Sequence, residues 1–309
     1  MTFHLPLWKR LGLHVYYQAT LPHRSAWMRQ ARRVNRVPVV VLFYHRVADS
    51  HSNPWTIDCA GFSRHLRWLK KHYELISLAE VQRRVRDGND RPAVSITFDD
   101  GYSENCDFAL PLLIREQVPC TYFVTTDNIL SGSPFPHDVA LRQPLPVNTV
   151  EQLRTLAAAG VDIGCHTRTH ADLGKLSDHR ALRDEIVSSR DELSAAIGAP
   201  VRYFAFPYGL HANLNEDACQ IAREAGYEGI CSAYGGANTP GDDAFHLQRM
   251  HGDPDLIRLK NNVTLDPRKR HTERFQINSA PTTNGGAVAA TALDSAVSCE
   301  QPKPEEISG

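Results

Sequence analysis

Acidic side chains are absent from the chain until Asp49, whereas Lys9, Arg10, Arg24, Arg29, Arg32, Arg33, Arg36 and Arg46 all precede it. Long apolar runs are missing too. His14, Gln18 and Pro22 interrupt each candidate near the start, so no stretch reaches the roughly 7 to 15 apolar residues of a cleaved secretory signal. Nothing approaches the roughly 18 needed for a transmembrane helix. The seven cysteines (Cys59, Cys106, Cys120, Cys165, Cys219, Cys231 and Cys299) are odd in number and lack CxxC spacing, which argues against a disulfide-stapled secreted domain and for reduced, mostly buried thiols. No internal repeat is evident, which excludes a solenoid.

What remains is an ordinary globular composition, with 42% hydrophobic and 22% charged residues over 309 positions. The formal net charge of -1 points to no particular partner, and no nucleic-acid binding is expected. Residues 1–36 form a basic extension in which Trp8, Tyr16, Tyr17 and Trp27 are interleaved with the cations. That pattern suits peripheral contact with anionic lipid, an arm packed on the domain, or an organelle transit peptide. The expected location is the cytoplasm or the inner face of a membrane.

From Val39 onward, short apolar runs alternate with helical patterns, the signature of βα units and a parallel sheet or barrel. Strands are expected over 39–44, 94–98, 121–125, 161–165, 203–206 and 228–231. Helices are expected over 103–117, 150–159, 178–197 and 215–225, several ending at a glycine. A main domain is therefore placed at 37–265. The Ser, Thr, Ala, Gly and Pro-rich text in 266–309 predicts a disordered tail.

Three segments carry chemistry. Thr97-Phe98-Asp99-Asp100-Gly101-Tyr102 sets two carboxylates at a strand end, where α/β barrels keep their active sites. Adjacent anions repel unless a cation or proton intervenes, so one metal-bound and one free carboxylate is a sensible division; a helix-capping turn is the bland alternative. His166-Thr167-Arg168-Thr169-His170 follows a strand, and its two imidazoles can converge on one ion if the segment makes a helical turn. Two histidines and a carboxylate leave positions open to water, as hydrolytic sites do. Arg202-Tyr203-Phe204-Ala205-Phe206-Pro207-Tyr208-Gly209 ends a strand in a turn whose aromatic wall can stack on a sugar ring.

In this order and spacing, the three segments resemble the polysaccharide deacetylases, the NodB-homology or carbohydrate esterase family 4 enzymes, over roughly Val39 to Leu265. The resemblance implies an α/β fold, a distorted (β/α) barrel of about seven strands. It further implies Asp99 as general base, Asp100, His166 and His170 as ligands of a divalent metal ion, zinc, and Thr167 as a supporting residue. The implied reaction is removal of N-acetyl groups from an amino-sugar polymer or lipid-linked glycan by attack of metal-bound water. Pro207, Tyr208 and Gly209 would line the substrate, with a backbone N–H near Tyr208 helping to hold the oxyanion.

Two departures stand out. Ala205 occupies a position where many relatives have arginine, and no Leu-x-His provides the family's usual acid; Phe245-His246-Leu247-Gln248-Arg249 stands where that motif would fall. Together with Phe43-Tyr44-His45-Arg46-Val47, these features resemble the poly-N-acetylglucosamine deacetylase subgroup. His45 becomes the leading general acid, His246 the reserve, and Arg249 a supporting residue. Alternatives are hydrolysis of another carbon–nitrogen amide on the same fold, or a non-catalytic glycan-binding or membrane-associated role. His137 and Asp138 lie in a Pro-rich connection, read as a structural loop long enough to act as a lid.

Overall fold

The computed structural model describes residues 5–270 and 272–277. Eight short strands carry the architecture: β1 (Val39–Tyr44), β2 (Ala93–Phe98), β3 (Cys120–Val124), β4 (Asp162–Cys165), β5 (Tyr203–Ala205), β6 (Gly229–Cys231), β7 (His246–Leu247) and β8 (Arg249–His251). They pair in the order β7-β6-β5-β4-β3-β2-β1-β8, every neighbour parallel, and Glu74–Leu75 adds a short parallel pairing to the start of β2. Only Gln248 separates β7 from β8. One bent segment thus pairs β6 through its first half and β1 through its second, and nearly closes the sheet into a distorted barrel.

Parallel strands are covered on both faces, which is why β1, β2 and β3 read as unbroken buried runs. Side-chain alternation sorts each run between two cores. Val39 and Val41 face the barrel interior with Phe123, Tyr203, Ala205, Cys231 and Leu247. Val40, Leu42 and Tyr44 face the surrounding helices with Ile96, Phe98, Tyr122 and Phe204.

Six strands lie within a residue or so of their expected bounds, while β7 and β8 were not expected. The helix expected over 103–117 is broken into a 3-10 turn, Ser103–Cys106, and a helix, Ala109–Arg115. Pro111 has no N–H to bond the carbonyl four residues back, so the helix cannot extend continuously through this region. The helix expected over 178–197 contains a π turn, Asp184–Ser188.

Residues 7–33 form one long helix, α1 (Leu7–Arg33), held to the domain by Arg24, which donates to Asn261 and Thr264, and by the Tyr16 hydroxyl, which donates to Asp266. Part of the segment expected as tail is described and ordered by contacts. The 3-10 turn Pro267–Lys269 is capped by Asp266, Arg274 pairs with Asp242, and Phe275 and Ile277 pack on the core. The expectation for 278–309 lies outside the described residues. No helix among the described residues is long and apolar enough to cross a membrane.

Candidate active site

The carboxyl ends of β1, β2, β4, β5 and β8 converge at one end of the barrel. At the end of β2, Asp99 and Asp100 part company. Asp100 has a φ of 75°, a left-handed conformation that turns its carboxylate away from that of its neighbour. It meets His166 and His170, whose Nε2 atoms lie 3.6 and 3.3 Å from Asp100 Oδ1. The three ligand atoms all lie within 4.8 Å of one another.

Several features fit this cluster to a cation. Asp100 Oδ1 is buried and has no hydrogen-bond partner, a costly state for an anionic oxygen unless an ion satisfies it. His166 Nδ1 donates to the Ala205 carbonyl at 2.8 Å, which fixes the tautomer and leaves Nε2 free to ligate. Burial pushes the His166 pKa down to about 4, so the imidazole is neutral, the state a ligand needs. Burial also works against charge on Asp100 and His170, but their mutual attraction outweighs it: the carboxyl is held below its usual range and the imidazole raised above its own.

The segment 166–170 converges without the expected helical turn. Thr167 and His170 have φ of 66° and 61°, and that pair of left-handed residues folds the loop back so both imidazoles reach Asp100. Left-handed geometry at a β-branched threonine is strained. Glu185, from the π turn, holds it by accepting from the N–H groups of Arg168 and Thr169 and from the Thr169 hydroxyl. Sequence reasoning missed Glu185, and no short-range motif marks a partner so many residues away. Thr167 is fully buried and its hydroxyl is unpartnered, while its carbonyl accepts from Thr126 N–H.

Asp99 has different company. Arg249, 0% exposed, reaches across from β8 and grips it with both fork nitrogens, at 2.6 and 2.9 Å. Two further donors are used: Nη1 also reaches Thr97 Oγ1, and Nε reaches the Ser232 carbonyl. The guanidinium lies 5.0 and 5.2 Å from the Phe43 and Phe123 rings, so stacking adds to the fork in fixing its position. The guanidinium that meets the aspartate thus comes from β8, while β5 ends in the buried Ala205.

His45 has its ring 4.7 Å from Trp55 and 6.0 Å from His251, with Nδ1 buried and unpartnered, and lies near enough to Asp100 to favour that carboxylate's charge. His251 was not singled out from sequence, although strand alternation from Arg249 puts it on the same inward face. Burial holds it neutral, with its pKa near 3. The reserve candidate His246 is elsewhere: it is buried against the Ser232 hydroxyl at 2.9 Å, and its charged neighbours are Arg274, Asp243 and His211.

The third segment forms one wall. Tyr208 is 58% exposed and meets His170 edge-on at 5.2 Å. Pro207 is buried, and Gly209 has a φ of 64° with Ala233 N only 2.6 Å from where a Cβ would stand, so the turn requires glycine. Opposite, Tyr102 donates to Asp138 at 3.0 Å, and the exposed His137 stacks on Phe135 with its ring 6.4 Å from His170. The Pro-rich connection is thus a wall of the mouth. Burial raises the pKa of the Cys165 thiol, outweighing its hydrogen bond with Ser189, and makes it a poor nucleophile.

Residues 86–230 match the family model described as polysaccharide deacetylase. YxkH of Bacillus subtilis (strain 168), whose name assigns it provisionally as a polysaccharide deacetylase, is 24% identical over 235 residues, covering 75% of this chain and 76% of its own. The poly-beta-1,6-N-acetyl-D-glucosamine N-deacetylase of Staphylococcus aureus (strain MRSA252) is 22% identical over 231 residues, with coverage of 72% and 75%. Among solved structures, the Streptococcus pyogenes deacetylase PplD in complex with acetate aligns with a TM-score of 0.62 at 21% identity, over 73% of this chain and 98% of that one. That likeness shows the shared fold.

Proposed function

Because the chain belongs to the polysaccharide deacetylase family, we propose that it hydrolyses N-acetyl groups from an amino-sugar polymer or a lipid-linked glycan. The observation that carries this reading is the division of labour at Asp99 and Asp100: an Asp-His-His donor set lies directly beside an arginine-gripped carboxylate at the open end of the barrel.

Asp100, His166 and His170 would hold a divalent ion, and their mixed nitrogen and oxygen donors suit zinc. Such an ion supplies Lewis acidity to an acyl carbonyl and to water. The chain's own groups do the rest. Asp99 takes the proton of the attacking water, and Arg249 aims the carboxylate. A backbone N–H near Tyr208 faces the developing oxyanion, and the exposed Tyr208 ring offers a surface for a sugar ring, while buried Pro207 shapes the turn beneath it. His45 delivers a proton to the departing amine nitrogen; His251, held neutral beside it, is the poorer donor. The products are acetate and a free amino sugar.

The test is acetate release from N-acetylglucosamine oligomers by metal-stripped protein, resupplied with zinc, beside Asp99→Asn. Activity restored by metal and abolished in the variant supports the reading. Failure to release acetate while metal is bound would turn it toward another carbon–nitrogen amide.

A further inference from the structure

We propose that the outward face of α1 is a docking surface for an anionic lipid bilayer. The inward face is fixed by Arg24 and Ala31, both buried, by the bond from Tyr16 to Asp266, and near the helix start by Arg10, which pairs with Asp255. The opposite face is therefore set by helix geometry. At about 100° per residue, Leu7, Trp8, Leu11 and Val15 share a single arc, and they are 81%, 70%, 65% and 63% exposed. Large apolar side chains grouped this way in water mark a surface that awaits a partner.

Charge identifies the partner. Helix α1 contains no aspartate or glutamate, and Arg29 and Arg33 continue the same arc toward the helix end. Neither these two nor Lys9 and Arg32 has an acidic partner among the described residues. An apolar stretch continued by unpaired cations on one face is the layout of an interfacial helix, where the apolar part enters the acyl boundary and the cations meet phosphate. A second copy of the chain fits less well, because two acid-free helices would repel each other.

The position is also informative. Leu5 N–H and Arg10 both reach Asp255, four residues after the end of β8, so the apolar end of α1 lies beside the mouth of the barrel. A bilayer held there would bring membrane-proximal glycan to the site. The docking itself stands independently of the catalytic reading, since it is read by binding alone.

The experiment is flotation of the full chain with vesicles of phosphatidylcholine alone, or containing roughly one third phosphatidylglycerol, with far-UV circular dichroism as a folding control. Wild-type protein is expected to float with the anionic vesicles, and less so as salt rises. The double variant Trp8→Gln/Leu11→Gln should keep its fold and bind about tenfold or more weakly. Arg29→Gln/Arg33→Gln should weaken binding to anionic vesicles only. Absence of wild-type flotation with anionic vesicles overturns the proposal, as does equal flotation of the Trp8/Leu11 variant. A dimer in sedimentation velocity that this variant abolishes, without vesicle binding, overturns it in favour of a second copy.

Discussion

Asp99 and Asp100 share a strand end, yet one faces an arginine and the other two histidines. On the Asp100 side, a single short loop, 166–170, supplies both partners. On the Asp99 side, the partner is Arg249, brought from β8 some 150 residues along the chain, with His251 two residues further on close enough to feel the aspartate's charge. The difference teaches how a carboxylate pair acquires two chemistries. A left-handed φ at Asp100 separates the two anions, and a different cationic or ligating environment then claims each. The sharpest way to break this comparison is to neutralise each aspartate alone. Asp100→Asn should lose both bound metal, measured by elemental analysis, and activity. Asp99→Asn should keep one equivalent of metal while activity falls about 10²- to 10⁴-fold. Loss of metal from both variants would erase the proposed division.

Arg249 tests the Asp99 side from its partner. Arg249→Met leaves a buried carboxylate unpaired, which costs about 3–5 kcal/mol in denaturant unfolding and should depress acetate release as well. Asp99→Asn/Arg249→Met should recover much of the stability, because no uncompensated charge remains, but none of the activity. A double variant as unstable as the single one would mean that packing between Phe43 and Phe123, rather than charge, is what Arg249 provides.

The same contrast governs what was legible in the sequence. The Asp100 side was readable because its candidate ligands are local: Asp100 in one turn, His166 and His170 in another, each at the end of a recognisable apolar strand. The helical turn over 166–170, the condition for convergence read from the sequence, is not the route taken: positive φ at Thr167 and His170 leaves no trace in residue type, and the bracing by Glu185 is a tertiary contact. The Asp99 side was only partly readable. Arg249 could be named, but the placement of His251 depends on a three-residue strand that closes the barrel, too short to show a period. Most of the strand pattern was legible because parallel strands are continuous apolar runs. Helix α1 was not, because its outward face is as apolar near the start as a buried one.

His45 sharpens the comparison further. His45→Gln should keep its metal and lower acetate release about 10²-fold, mostly in kcat, since the group acts on the leaving amine rather than in binding. An unaffected His45→Gln would move the proton-donating role to His251, and His251→Gln would then carry the loss.

His246 provides the smallest effect and a control outside the site. Burial pushes its pKa down to about 4, below the ordinary value near 6.5. A histidine depressed in the folded state contributes stability that is fully present above the unfolded pKa. That contribution is lost as pH falls through the window between about 6.5 and 4, because the unfolded chain binds the proton more readily. Buried His65 is also depressed to about 4 and acts in the same window, so His246→Gln should reduce the slope of unfolding free energy against pH rather than flatten it. Glutamine can keep a hydrogen bond to Ser232, and acetate release should stay near wild type at pH 7. A slope unchanged in His246→Gln would show that its imidazole is hydrated in the fold, and a large loss of activity would return it to the reaction, where the geometry around Ser232 gives it no place.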